Sequence, residues 1–254
     1  MLSRVLSPIQ NELLRMEELL EKSFQIKSGH LSSFAHLPAG AVDGVFRPAL
    51  VLLSAGLFGP LLPQVVVLAA VVQFIYLAVA VHRGIGEGNS PHTPSDPRDG
   101  HQFPVLVGDY LYGRFFTSLC DAGIVHYLRP LSEVICQINE GHILRLKSSF
   151  SGKNIPWLKV VQLETASLTG AACELGAHLA GAPVEQREIL KRFGAHLGMA
   201  RGCRENGLLA EGENFFSLAE QELAALPAGE FHRAMKYLIE CLRKEETAAS
   251  RLVV

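Results

Sequence analysis

An all-α fold is what this sequence predicts, and three observations predict it. Apolar residues recur at helical spacing along most of the chain, and no stretch alternates apolar with polar residues as a strand does. A single glycine- and proline-rich segment separates two strongly helical blocks. With 48% hydrophobic and 19% charged residues, 254 residues readily supply the core of one large helical domain, which we take as residues 1–254.

Ser7-Pro8 reads as a hydroxyl N-cap with proline at the first helical position. Leu13, Leu14, Met16, Leu19, Leu20 and Phe24 then repeat at helical spacing between Glu and Lys residues. A small-residue loop is expected around Gly40–Gly44, then a helix from about Pro48 to Leu57, closed by Gly59-Pro60. Pro48 to Val81 holds no charged residue, which raises the question of a membrane span. Pro60 and Pro63 divide that stretch, and Gln64–Val81 has only the minimum spanning length, carries Gln64 and Gln73, and has no basic flank before it. We read it as a core helix, apolar all round, with no integral membrane association. Gly84–Gly100, with four glycines and three prolines, reads as a loop. Further helices are expected over Pro104–Leu119, Tyr127–Leu146, Asn154 to Gly181, and Val184 to Asn206 with Gly207 as terminator. A polar segment, Ala210–Asn214, leads into two last helices broken at Pro227.

Composition narrows the function classes. A net charge of −2 leaves no basic surplus to follow a phosphate backbone, so no nucleic-acid partner is expected. The five cysteines stand apart, with no CxxC spacing, which suits reduced thiols in a cytoplasmic protein. Met1 is followed by no basic-then-apolar region, so no export signal is read. His82, His142, His178 and His196 lack HExxH or comparable ligand spacing, and no zinc site is assigned.

Five collinear segments carry a resemblance. Phe46-Arg47-Pro48-Ala49-Leu50-Val51-Leu52-Leu53-Ser54-Ala55, Val105-Leu106-Val107-Gly108-Asp109-Tyr110-Leu111-Tyr112 and Glu140-Gly141-His142-Ile143-Leu144 are the first three. Glu164-Thr165-Ala166 with Glu174-Leu175-Gly176-Ala177, and Phe193-Gly194-Ala195-His196-Leu197-Gly198-Met199-Ala200, complete the set. In this order they resemble GGKRLRPALVLLSA, VLVGDYLF, EGEIL, KTAxL…ELGA and FGxxLGxA of the trans-isoprenyl diphosphate synthase (polyprenyl synthase) family. The resemblance covers roughly residues 1–209. It implies a single helical bundle of the isoprenoid synthase type around a central cavity, shortened after about residue 209.

The family ionises an allylic diphosphate with Mg²⁺ as Lewis acid, held by two DDxxD motifs whose aspartates, four apart, share a helix face. Aligned here, the first motif falls on Arg83, Gly84, Ile85, Gly86 and Glu87, which takes its charge from −3 to zero. The second falls on Glu205, Asn206, Gly207, Leu208 and Leu209, so one carboxylate survives, flanked by Arg204 and Arg201. By the same alignment Gly44 and Val45 replace the basic residues of GGKR, Tyr76 a histidine, Glu164 the KT lysine and Gly202 a glutamine. The arginine pair that normally stands after the first motif is also missing.

Several residues carry two readings. Arg47 is a residual diphosphate ligand or a helix-start surface charge, and Glu87 a lone metal ligand or a solvated loop acid. Arg83, Arg201 and Arg204 either hold an anion without metal or form salt bridges that close the site, and we favour the salt bridges. Asp109 reads as a hydrogen-bonding or capping residue. Tyr76, Ala78 and Val79 precede the first motif and are assigned to the lining of an apolar tunnel. No catalytic residue, metal ligand or cofactor is assigned, and Mg²⁺ binding is not expected. The resemblance thus implies a catalytically inactive homologue that serves as partner or regulatory subunit of a catalytic prenyl diphosphate synthase, or dimerises with itself. The alternatives are a homodimeric binding protein for a prenyl or other apolar ligand, and a prenyltransferase with altered, metal-independent chemistry.

Overall fold

The computed structural model describes residues 6–38, 40–85 and 96–244. Its helices are α1 (Gln10–Phe24), α2 (Ala41–Gly56), α3 (Pro63–Arg83), α4 (Gln102–Asp121) and α5 (Leu128–Phe150). Next comes a helical rod of α6 (Trp157–Val161), a π-helical turn (Gln162–Ala166) and α7 (Ser167–Leu179). The last three are α8 (Val184–Glu205), α9 (Leu209–Ala224) and α10 (Glu230–Lys244). Gly181 and Gly207, at φ +81° and +78°, end α7 and α8 where glycine was expected to stop them.

The apolar stretch is a core helix. α3 packs against α1, α2, α4 and α7, and 78% of its most apolar window is buried. Among the described residues it is the one helix long and apolar enough to cross a membrane. Gln73, at its centre, is 2% exposed and donates through Nε2 to the Asp43 carbonyl at 3.2 Å, while its Oε1 has no hydrogen-bond partner. Around α3 the order α2–α7–α8–α9 forms the rest of the bundle, with α10 returning onto α2.

Four local expectations are corrected. Ser7 caps nothing: Ser7–Ile9 is a 3₁₀ turn with no side-chain cap, and α1 starts at Gln10. α2 begins at Ala41 rather than near Pro48, so most of the expected Gly40–Gly44 loop is helix and Pro48 lies inside it. Ala210–Asn214 belongs to α9. A two-residue antiparallel hairpin pairs Gln25 with His30 and Ile26 with Gly29, where no strand was expected.

The GDYL segment shows what a family-like motif does in packing. Gly108 faces α3 so closely that a Cβ there would stand 2.1 Å from His82 Nε2. The missing side chain is what lets α4 lie against α3. Asp109 sits mid-helix and caps nothing; its Oδ1 is 3.5 Å from His82 Nε2.

Candidate functional site

α2, α3, α5, the π-helical turn, α7 and α8 enclose a cavity of about 370 Å³. Its floor is apolar, from Val79, Ile138 and Leu168, and its walls carry Asp43, Arg47, Tyr76, Arg83, Glu164 and Glu205. Tyr76, Val79, Ala80 and Arg83 reach it together because they fall at i, i+3, i+4 and i+7 on α3. Ala78, which the sequence placed on a tunnel wall, is fully buried and outside the lining.

The π-helical turn controls the opposite wall. One residue inserted into the helical ladder rotates the side chains beyond it, and such turns recur at functional sites. Here it projects Glu164 and Thr165 into the cavity. Gly141 of α5 makes room: a Cβ on it would meet Glu164 Cγ at 2.7 Å and Leu163 Cβ at 2.9 Å.

Two ionic clusters result. In the first, Glu164, whose side chain is 9% exposed, faces Arg83 Nη2 at 3.1 Å and Arg145 Nε at 3.4 Å. Arg83 Nη2, Arg145 Nε and Glu164 Oε1 have no aligned hydrogen bond, so the groups meet chiefly as charges. Burial pushes the Arg83 pKa down, and Glu164 opposes that most strongly.

In the second cluster, Arg201 Nη2 donates to Asp43 Oδ1 at 2.8 Å and its Nε to Glu205 Oε1 at 2.9 Å. Arg47 Nη1 lies 3.7 Å from the same Asp43 oxygen, and its guanidinium sits 3.4 Å from the Tyr76 ring centroid. Arg47 is only 7% exposed, so the surface-charge reading does not hold. Desolvation depresses its pKa and raises that of Tyr76.

The two segments that the sequence aligned with aspartate motifs end differently. Arg83 is the last residue of α3, and Gly84 closes that helix. Glu87 lies outside the described residues. At the second motif α8 stops at Glu205, and Asn206 is its C-cap, with Nδ2 donating to the Gly202 carbonyl at 2.7 Å. Leu208 N–H returns to the Cys203 carbonyl at 2.8 Å and Gly207 N–H to Arg204 at 3.1 Å, a Schellman stop with Gly207 in the left-handed region. Leu209 already belongs to α9 and is 54% exposed. The helix therefore ends before positions four apart could present two acids on one face. Arg204 is not part of the cavity lining.

This donor set does not suit a Mg²⁺ cluster. Mg²⁺ wants several hard carboxylate oxygens in octahedral array. Of the three carboxylates on the cavity wall, Glu164, Asp43 and Glu205, each is already held by a guanidinium. Among the described residues four arginines (Arg47, Arg83, Arg145, Arg201) face those three acids, and that surplus of positive charge disfavours an entering dication. Among the described residues the one group of His, Asp and Glu with converging ligand atoms is His36, Asp96 and Asp99, none of which lines the cavity.

Sequence reasoning missed Asp43, the acid that joins Arg47 to Arg201, and it missed Arg145. Asp43 was hidden because its segment reads as loop, Arg145 because nothing in its own sequence marks a site. Arg83 and Glu164 were each noticed as replacements, but their pairing needs the fold.

The bundle, with its cavity between facing helices, is the all-α isoprenoid synthase fold. A polyprenyl synthase from Caulobacter crescentus CB15, complexed with calcium and isoprenyl diphosphate, superimposes with a TM-score of 0.80 at 22% identity, covering 96% of this chain and 99% of that one. Heptaprenyl diphosphate synthase from Staphylococcus aureus gives 0.80 at 18% identity, over 94% and 99%. In sequence, the Polyprenyl synthetase family model matches residues 94–201. The all-trans-nonaprenyl-diphosphate synthase (geranyl-diphosphate specific) of Rhodobacter capsulatus is 28% identical over 202 residues, 77% of this chain and 62% of that protein. Heptaprenyl diphosphate synthase component 2 of Geobacillus stearothermophilus is 28% identical over 210 residues, 78% and 64%. The chain thus spans under two thirds of the length of these two relatives. Over these spans it is similar to the trans-isoprenyl diphosphate synthase family.

Proposed function

We propose that this chain is a non-catalytic prenyl diphosphate synthase homologue that acts as partner or regulatory subunit of a heteromeric synthase, with the metal-bearing active site supplied by the other subunit. The observation that carries this reading is the exchanged pair at the first motif. Arg83, aligned with an acid of the family's first motif, and Glu164, aligned with a lysine, meet at 3.1 Å, and this ion pair supports the reading. Ionisation of an allylic C–O bond needs neutralisation of the leaving diphosphate, and these residues offer no Lewis acid to provide it. We assign no Mg²⁺ to the cavity.

Two further observations support a partner. One relative is named as a component of a heptaprenyl diphosphate synthase. α4 leaves Phe103, Leu106 and Phe116 exposed at 42%, 64% and 46%, a strip that a second subunit, identical or catalytic, would cover. A second reading, a homodimeric binding protein, draws on the cavity's apolar floor of Val79, Ile138 and Leu168.

The test is to incubate the chain with allylic and isopentenyl diphosphates and Mg²⁺, alone and co-expressed with an intact synthase from the same organism. No product alone, with capture of the synthase and altered product length together, is the expected result. Turnover by the isolated chain that disappears in Glu87→Ala contradicts it. A homodimer that captures no synthase but releases a prenyl lipid on extraction favours the binding protein.

A further inference from the structure

From Gly141 to Leu163 the chain holds Arg145, Lys147, Lys153 and Lys159 and not one Asp or Glu, although its overall net charge is −2. This segment forms the last turns of α5, the connection to α6, and α6 itself. Arg145 is spent on Glu164 at the cavity wall, so the turns beyond it lie at the cavity's end of the bundle. Lys147, Lys153 and Lys159 are exposed, and among the described residues none of them makes an ion pair. Lys159 makes one exposed hydrogen bond, to Gln162.

Large apolar groups stand among these lysines. Ile143, Lys147 and Phe150 succeed one another on one stripe of α5, with Ile143 63% and Phe150 72% exposed. Phe150 is the most exposed large hydrophobic residue described, and it sits at the tip where α5 ends. Past the turn at Gly152, Trp157 is half-buried and Leu158 is 47% exposed. Trp157 is the chain's single tryptophan.

We propose that this face docks the chain on the surface of an anionic phospholipid bilayer, with Phe150, Trp157 and Leu158 entering the headgroup region and Lys147, Lys153 and Lys159 meeting lipid phosphates. Charge complementarity selects that occupant. Basic residues free of acids, with aromatic and aliphatic side chains between them, are the composition of interfacial membrane segments. Protein–protein interfaces, by contrast, are depleted in lysine and enriched in arginine, and every exposed cation of this face is lysine. Lysine suits a fluid layer of phosphates because its long stem lets the charge follow the lipid while the methylenes lie on apolar surface. The proposal is one of peripheral docking, compatible with a buried α3, and it does not depend on the proposed partner role.

The sole tryptophan is its own reporter. The full chain is mixed with vesicles of phosphatidylcholine plus phosphatidylglycerol, and with vesicles of phosphatidylcholine alone, and followed by flotation and Trp157 emission. Flotation with the anionic vesicles only, a blue shift of the emission, and release by high salt are expected. The triple variant Lys147→Glu, Lys153→Glu, Lys159→Glu should lower vesicle binding at least about tenfold. Phe150→Ser is expected to weaken binding severalfold with helix content unchanged, and serves as the readout should the triple variant not fold. The proposal is overturned if the anionic vesicles capture no protein, if both vesicle types capture it equally, or if Phe150→Ser instead splits a dimer.

Discussion

His82 and Arg83 are adjacent residues at the end of α3, yet they face regions built on different principles. His82 turns toward α4, where Gly108 opens the space its ring fills and Asp109 lies 3.5 Å away, in a segment that keeps the family pattern nearly letter for letter. Arg83 turns into the cavity, where Glu164 is its counter-ion. Packing motifs answer to steric complementarity that every copy of the fold needs. Ligand motifs answer to a diphosphate and its metal; in the function proposed above, the same positions neutralise one another here. What the cavity teaches is that its charges answer one another: four arginines and three acids form two nearly balanced clusters.

The largest effect should come from breaking that network at its most enclosed acid. Glu164→Ala leaves Arg83 facing an empty buried pocket, and urea denaturation should show a loss of about 3 kcal/mol. Arg83→Met together with Glu164→Met should recover most of it, since Arg145, 32% exposed, can turn to solvent. A near-neutral Glu164→Ala would mean that the ion pair is idle surface charge.

The packing side predicts a smaller loss. In Gly108→Ala the new methyl meets the His82 ring, which must swing aside, at a cost of about 1.5 kcal/mol in the same assay. Diphosphate binding, if any, should not change with it, which separates the two regions.

These two regions were unequally legible. Helix positions, the core role of α3 and the glycine stops of α7 and α8 came from periodicity and turn chemistry. The start of α2 did not, because Pro48 usually opens a helix and Gly40 and Gly44 usually mark a loop. Burial of Phe46 beneath the arginines overrode both signals and carried Asp43 into the site. The π-helical turn at Gln162–Ala166 has no sequence signature, and without it the orientation of Glu164 could not be foreseen. Ala78 was misplaced for a simpler reason: it lies off the i, i+3, i+4, i+7 stripe that Tyr76, Val79, Ala80 and Arg83 form on the cavity side of α3.

Acid sensitivity sharpens the comparison further. Burial lowers the pKa of His142, His178 and His196 below 6.5, and for His142 the neighbouring Arg145 and Arg83 add to it. Their neutral forms are favoured in the fold, so the unfolded chain binds more protons, and stability that is full above pH 6.5 declines as pH falls below it. Calorimetry should show a lower Tm at pH 5.5 than at pH 7.5, and His142→Gln should remove the part that belongs to the ionic end. A flat profile would contradict the half-burial of His142 and His196.

The smallest effect concerns thiols. Cys120 and Cys136 are exposed, while burial pushes Cys173 up to about 12 and Cys203 up to about 11. An aromatic disulfide reagent should modify Cys120 and Cys136 first and the buried pair only on unfolding. Early labelling of Cys173 would show that the α2–α7 seam opens readily.

The central claim is that arginines and their acids have taken the place of metal and diphosphate, and calorimetric titration with inorganic pyrophosphate tests it most directly. Titrated with and without Mg²⁺, the chain should give the same weak or undetectable heat in both, because each described carboxylate of the cavity is held by an arginine. Marked tightening by Mg²⁺ would contradict the account, since it would require the cavity acids to leave their arginines for a metal.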